Sequence, residues 1–531
     1  MDNRIDFSSS CLYPSQRMPV FAADVVATSQ PLAAQAGLEM LRIGGNAVDA
    51  ALSAAITLAV VEPTGMGIGG DLFAIIWDGK RLQGINGSGR APEAWDDGRF
   101  KGLKRMPDLG WDTVTVPGAV KAWADLSKQF GKLPFERLFD SAIRYAAEGF
   151  IVTPRVAEIW AEAPARYKAF PAFAETFLPH GRAPRAGEVF RCPDQAKTLT
   201  EIAETRGESF YRGKIAERIA AFARETGGAI TMDDLSFHRS ESVETLSMDF
   251  AGAVVHELPP NCQGISALIA LGILAHLGVE GMHPDSPESI HLQVEAMRAA
   301  FDVCFEHIAE PESMKVDPRM LLDEDDLQAK AKAISRKRAI VAPAKVPAGG
   351  GTVYIAAADK GGMMVSLIQS NYFGFGSGIV VPGTGIALQN RGCGFNMKEG
   401  HPNRIGGGKR PFHTIIPGFA MKAGHPLMAF GVMGAHMQPQ GHVQMMVRIL
   451  SSGMNPQTAS DAPRWHLFPD GTLGLERGFP PETIEGLKRL GHRLIFTTPT
   501  RVFGGAQIIM AMEGGYCAAS DHRKDGQAAG F

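Results

Sequence analysis

The chain has 531 residues, 45% of them apolar and 21% charged, with a formal net charge of -3. That balance is globular and large enough for two domains or one intimately packed one. So small a net charge leaves no electrostatic footprint for nucleic acid or an anionic membrane, and neither partner is expected. The six cysteines (Cys11, Cys192, Cys262, Cys304, Cys393, Cys517) lie far apart without a C-x-x-C pair. This excludes a zinc knuckle, a thioredoxin-like motif and a disulfide scaffold, and most of the six read as small buried hydrophobes.

Met1 to Val20 lacks the basic start and apolar core of a secretory leader. Ala50 to Val61, the most apolar stretch, is too short to span a bilayer. A soluble, cytoplasmic protein is therefore expected. Pro31 to Leu41 predicts a helix stopped by Gly44-Gly45, with Pro in its first turn. Asn46 then reads as an N-cap with Asp49 three residues on, close to a capping box, and the helix it opens is apolar on nearly all sides and should be buried.

Thr64 to Gly70 is a glycine-rich turn, and Leu72 to Trp77 a short strand ended by Asp78-Gly79. Residues 117–310 are mostly helical in pattern. Within them Ser286-Pro287 fit an N-cap and first helical position, and Ile290, Val294, Met297, Phe301 and Cys304 recur as one buried face. Residues 328–351 read as a flexible linker, basic at first (Lys330, Lys332, Arg336, Lys337, Arg338) and ending in Gly349-Gly350-Gly351. Val353 to Ala358, the turn Asp359-Lys360-Gly361-Gly362 and Met363 to Ser370 then form a β-hairpin. A linker thus ends at Thr352, the first residue of a buried strand.

Gly65-Met66-Gly67-Ile68-Gly69-Gly70 matches G-x-G-x-x-G. A nucleotide-binding loop needs a strand before it and a helix after, and here the order is reversed, so a tight turn lining a pocket fits better. A nucleotide-dependent oxidoreductase built on this loop predicts a helix after Gly70. Asn86-Gly87-Ser88-Gly89-Arg90 misses a nucleophile elbow by its first residue. There is no H-E-x-x-H, and His436 and His442 are six apart, off one helical face. They read as core or surface histidines, and neither a metal nor a cofactor is expected.

A Thr at the start of a strand is by itself commonplace. If the Gly351–Thr352 bond is cut, however, Thr352 carries both a hydroxyl nucleophile and a free α-amine. That amine, with a pKa of about 7.7–8.0, is a usable base at neutral pH, so one residue supplies nucleophile and general base. Gly351 suits self-cleavage, because the hydroxyl can approach its carbonyl without a Cβ in the way.

Several segments resemble the γ-glutamyltransferase family of N-terminal-nucleophile hydrolases. They are Ser29-Gln30-Pro31-Leu32-Ala33-Ala34-Gln35-Ala36-Gly37, Gly44-Gly45-Asn46-Ala47-Val48-Asp49-Ala50-Ala51, Val61-Glu62-Pro63-Thr64 running on into Gly65 to Gly70, Phe375-Gly376-Ser377-Gly378, Lys409-Arg410-Pro411, Asp461-Ala462-Pro463-Arg464 and Ala519-Ser520-Asp521. Each is weak alone, but their order is specific. The resemblance implies an α+β fold, a four-layer αββα sandwich of two stacked sheets, formed jointly by two subunits after self-cleavage. It puts the cut before Thr352, giving a large subunit of residues 1–351 and a small one of 352–531, a heterodimer able to assemble further.

The resemblance also carries over further roles. Gly434-Ala435 sits where the family's paired glycines offer backbone N–H groups to the oxyanion. Asn371 matches an Asn beside the nucleophile or substrate. Departures fall on the substrate pocket. The family's carboxylate-binding Arg is Ser88, with Arg90 displaced by two positions. The Gln and Asp that hold the glutamyl amine correspond to Arg391 and Gly394, and the Ser-Ser pair becomes His413-Thr414. The nucleophile strand begins Thr-Val-Tyr instead of Thr-Thr-His. Losing the Asp removes a counter-charge for an ammonium group, while Arg391 supplies a fork for a carboxylate.

The chain is accordingly most similar to the divergent cytoplasmic branch that includes oxamate amidohydrolase. Its expected function is acyl-enzyme hydrolysis of a small carboxylate-bearing amide such as oxamate. Alternatives are a γ-glutamyl hydrolase or transferase acting on glutathione and a non-catalytic binding protein on the same fold.

Overall fold

The computed structural model describes residues 17–340, 342–343, 351–496 and 500–531. Two seven-stranded sheets form its centre. In the first, the strand order is Gln527–Gly530, Val25–Thr28, Gly351–Ala358, Met364–Tyr372, Asp71–Trp77, Leu82–Gly87, Glu241–Val243. In the second it is Val20–Ala22, Gly515–Ser520, Gly505–Met512, His425–Met433, Gly418–Lys422, Ala253–Glu257, Leu246–Phe250. Every ladder in both sheets is antiparallel.

Alternation along the strands sends side chains to two different cores. Tyr354, Ala356 and Ile368 face inward and pack with Phe419, Ala429 and Ile509 of the other sheet. Tyr354 stands over Gly431, where a Cβ would come within 2.3 Å of its ring, and its hydroxyl meets Ser366 Oγ at 2.7 Å. Val353, Ile355 and Ala357 face outward, onto the helices Pro31–Arg42 and Ala47–Val61. On the far side, Met428, Phe430 and Val432 pack under Gly264–Leu277 and Pro287–His307. The layers are therefore helix, sheet, sheet, helix, the αββα sandwich expected.

Local signals hold where the chain closes on itself. Asn46 caps its helix with a complete capping box to Asp49, and Ser286 caps the helix that Pro287 begins. The predicted hairpin is present, with its second strand reaching two residues further, to Tyr372. A strand, Asp71–Trp77, follows Gly70, not a helix. That removes the context a dinucleotide loop needs, and the oxidoreductase expectation with it.

The linker boundary also needs correction. Residues 328–333 lie in the helix Glu324–Ala333, whose N-cap Asp323 accepts from Asp325 and Asp326 N–H and whose Leu327 and Ala331 are buried. Residues 341 and 344–350 of the expected linker lie outside the described residues. Among the described residues no helix is long and apolar enough to cross a membrane.

Candidate active site around Thr352

Thr352 is 3% exposed and is the second residue of a central strand that begins one residue earlier than expected, at Gly351. Gly351 pairs with Tyr372 and Val353 with Gln369, so the ladder carries a bulge at this point. A bulge re-aims a side chain, and here Thr352 Oγ1 donates to the Gly351 carbonyl oxygen at 2.6 Å. Ser370 Oγ donates to the same oxygen at 2.7 Å and lies 3.3 Å from Thr352 Oγ1. Two hydroxyls therefore converge on the carbonyl of the Gly351–Thr352 bond. A Cβ on Gly351 would stand 3.1 Å from Gly374 N and 3.2 Å from Thr64 O, so little more than a glycine fits.

The Gly65–Gly70 loop closes this hairpin from above. A Cβ at Gly67 would stand 2.9 Å from Asn371 Nδ2, and one at Gly70 2.5 Å from Asn371 Oδ1. The glycines let the loop lie flat on the Ser370–Asn371 segment, and Gly65 lines the cavity in front of Thr352. Asn371 is held beneath the loop, its Nδ2 3.5 Å from Ala387 O and its Oδ1 without a partner among the described residues.

Arg391 is fully buried. Its Nη2 donates to Ser370 Oγ at 3.1 Å and its Nη1 to Thr414 Oγ1 at 2.7 Å. Its guanidinium lies 4.3 Å from the centre of the Tyr372 ring. Tyr372 holds a positive φ of 78°, a strained conformation for a bulky residue and of a kind that clusters at functional sites. Among the described residues Arg391 makes no ion pair, and its Nε has no partner. Burial pulls it down to about 10, so it stays charged at neutral pH. A buried cation without a salt-bridge partner among the described residues thus sits one hydroxyl away from Thr352.

His413 is buried against Asp71, Nε2 to Oδ2, at 3.0 Å. Its Nδ1 accepts from Ile415 N–H, so Nε2 carries the proton. Burial, reinforced by the Arg391 charge, holds His413 neutral, well below the usual histidine range. Asp71 also accepts from Gly89 N, Gly118 N and Gln389 Nε2. Burial outweighs those bonds and the Arg391 charge, and raises it to about 7.

Thr352 opens onto a cavity of about 390 Å³ whose walls include Glu62, Thr64, Gly434, His436 and Arg166. Gly434 and Ala435 form a turn with φ of 124° and 49°. An alanine in the left-handed region costs roughly 1–2 kcal/mol, and here Gln263 over-determines it. Gln263 Nε2 donates to Ala435 O at 2.9 Å and to Thr414 O at 2.6 Å, while Gln263 N donates to His413 O at 2.9 Å. One side chain therefore ties the turn to the segment that holds Arg391.

The site gathers Gly351, Thr352, Asn371, Arg391, His413, Thr414, Gly434 and Ala435, but not the first pair of pocket residues. Ser88 is buried in a bond to Asn86 Oδ1 at 2.7 Å. Arg90 pairs with Glu310 at 2.8 Å and lines a separate cavity with Arg410 and Glu241. Ser370 and Gln263 carry no local signal, though the hairpin's own register brings Ser370 opposite the Gly351–Thr352 bond. Among the described residues, His291, Glu295 and His492 bring possible metal-ligand atoms within 4.8 Å of one another. His291 Nδ1 lies 2.9 Å from His492 Nε2, a hydrogen-bonding distance, and none of the three lines the Thr352 cavity.

The gamma-glutamyltranspeptidase family profile matches residues 33–531. The chain belongs to the gamma-glutamyltranspeptidase family. It is 35% identical to the glutathione hydrolase-like YwrD proenzyme of Bacillus subtilis, over 96% of this chain and 98% of that one. To the oxamate amidohydrolase proenzyme of Klebsiella pneumoniae it is also 35% identical, over 94% and 97%. The crystal structure of cephalosporin acylase from Bacillus halodurans superposes with a TM-score of 0.94 at 46% identity, covering 98% of each chain. This family member is an amide (C–N) hydrolase on the N-terminal-nucleophile fold.

Two of the family segments, far apart in sequence, meet in its interior. Arg464 Nη2 reaches Asp521 Oδ2 at 2.5 Å, both fully buried, and Asp521 also accepts from Ala506 N and Arg523 N.

Proposed function

We propose that this chain cuts its own Gly351–Thr352 bond and then hydrolyses amides whose acyl part bears a carboxylate. In the first reaction Thr352 Oγ1 attacks the Gly351 carbonyl carbon, with Ser370 Oγ donating to the oxygen as it gains charge. The C–N bond to Thr352 then breaks, its nitrogen taking the proton the hydroxyl gives up, and water hydrolyses the resulting Gly351–Thr352 ester, leaving residues 1–351 and 352–531 as two subunits of one heterodimer. The proenzyme names of the relatives support this reading.

In the second reaction the freed α-amine takes the Thr352 hydroxyl proton, and Oγ1 attacks the substrate carbonyl. The N–H groups of Gly434 and Ala435 receive the oxyanion. The ammonium returns its proton to the departing nitrogen, and water then hydrolyses the acyl-Thr352 ester.

Arg391 carries the substrate reading. Among the described residues it is a buried guanidinium without an ion pair, bonded to Ser370, which touches Thr352. In the uncut chain it does not line the cavity. Departure of Gly351 removes the acceptor both hydroxyls share and opens that side of Ser370. A guanidinium matches a carboxylate in charge and shape and repels an ammonium. We therefore favour a small acidic amide such as oxamate over a γ-glutamyl compound. The five cysteines among the described residues (Cys192, Cys262, Cys304, Cys393, Cys517) are all free thiols, which suits a reducing, cytoplasmic setting.

The test is intact mass with N-terminal sequencing, beside Thr352→Ala, followed by ammonia release from oxamate against cysteinylglycine release from glutathione. Two fragments, the smaller beginning Thr-Val-Tyr-Ile, and turnover of oxamate are expected. A chain that stays whole would overturn the mechanism in favour of a binding protein. Turnover of glutathione without oxamate would overturn the substrate.

A further inference from the structure

Gln263 fixes more than a backbone turn. Its Nε2 faces two carbonyl oxygens, Thr414 O at 2.6 Å and Ala435 O at 2.9 Å. Carbonyls only accept, so that atom is the NH2 group and Oε1 is the amide oxygen. Oε1 lies 2.8 Å from His436 Nδ1. An amide oxygen also only accepts, so His436 carries its proton on Nδ1.

The His436 ring packs against Phe305 and Phe412, with centroids 5.3 and 6.0 Å away. Burial, followed by the neighbouring His466 and then Arg391, pushes it down to about 3, so at neutral pH the imidazole is uncharged. A neutral ring protonated at Nδ1 has a bare lone pair at Nε2. His436 lines the Thr352 cavity, and among the described residues its Nε2 meets no donor. The cavity therefore presents a fixed acceptor, unprotonated at neutral pH, one residue beyond the Gly434–Ala435 turn.

We propose that His436 is a substrate-binding residue whose Nε2 accepts the N–H of the scissile amide. The inference rests on the function proposed above and specifies which part of the substrate this wall reads. A primary or secondary amide offers two groups together: a carbonyl oxygen for the Gly434–Ala435 N–H groups and an adjacent N–H for His436. An ester of the same acid offers only the first. His436 accordingly discriminates in favour of amides, through a bond to the leaving nitrogen, while Arg391 reads the acid.

The test compares kcat/KM for oxamate with that for the monomethyl ester of oxalic acid, in wild type, His436→Leu and His436→Gln. The amide-to-ester ratio should fall about tenfold in His436→Leu, the scale of one lost hydrogen bond. It should recover in part in His436→Gln, which keeps a carbonyl oxygen. An unchanged ratio in His436→Leu overturns the proposal. Should His436→Leu fail to cut itself, which intact mass reveals, His436→Phe carries the same comparison with a ring that lacks the acceptor. If wild type turns over γ-glutamyl anilides and not oxamate, the substrate reading has failed by itself. The same ratio is then read on a γ-glutamyl anilide and the matching ester.

Discussion

Ser370 Oγ lies 2.7 Å from the carbonyl oxygen of Gly351 and 3.3 Å from the hydroxyl of Thr352. It touches both the Gly351–Thr352 bond proposed to be cut and the hydroxyl proposed to cut it. Ser370→Ala removes one of the donors aimed at the developing oxyanion, an effect on the order of 10²–10³ in rate. Conversion followed by intact mass should slow by about that factor. Cutting at the wild-type rate would leave Ser370 a packing residue.

Arg391→Lys keeps a positive charge and loses the planar fork. Because one nitrogen cannot serve Ser370, Thr414 and a substrate carboxylate together, KM for a carboxylate-bearing amide should rise at least about tenfold. An amide without the carboxylate should be affected far less. Steady-state kinetics on such a pair reads this, and equal losses on both would point to general damage.

Asp71 gives a pH signature. Its folded-state value is raised from 3.8 to about 7 by burial. Over that interval the folded protein binds a proton that the unfolded chain has released. The stability this contributes is full below about 3.8 and is lost as pH rises through about 7. Denaturant titrations of the uncut Thr352→Ala chain should therefore lose stability with rising pH, at up to about 1.4 kcal/mol per pH unit, relative to the same chain carrying Asp71→Asn. Parallel pH profiles would show that Asp71 is ionised throughout.

Asp521 is buried with Arg464 and Arg523, whose charges hold its carboxyl far below the usual range despite its burial. Asp521→Ala leaves two buried guanidinium groups short of a counter-ion, at a cost of about 3–5 kcal/mol. Urea unfolding of the uncut chain measures this. A loss under about 1 kcal/mol would mean that water or Glu476 takes over the pairing.

What the sequence disclosed follows from how far apart the interacting residues are. The hairpin from Gly351 to Tyr372, the Asn46 capping box and the Ser286 cap are settled within a few residues, so their patterns could be read directly. Arg391 sits among Gly392, Cys393 and Gly394, a loop composition that says nothing of burial. Only Ser370, Thr414 and Tyr372, brought in by folding, reveal its setting. Arg464 and Asp521 were legible as separate motifs, but their ion pair was not. The Lys-rich stretch after residue 328 has a linker's composition only when its charges are taken alone. Asp323 as a cap, acidic residues in the first turn and the Asp326–Lys330 pair were helix signals in the same segment. Gln263, which gives His436 its tautomer, depends on three distant partners and had no local trace.

The strand order has a consequence for how the protein ages. Strands 351–358 and 364–372 lie between 25–28 and 71–77, while 505–512 and 515–520 lie between 20–22 and the rest of their sheet. A cut before Thr352 leaves these ladders intact but divides their strands between two chains. An uncut molecule that unfolds can return by itself, whereas a cut one must find its other half, so recovery becomes second order in protein and fails on dilution. Cleavage at that bond would turn one chain into a two-chain assembly whose working lifetime is set by how slowly it opens.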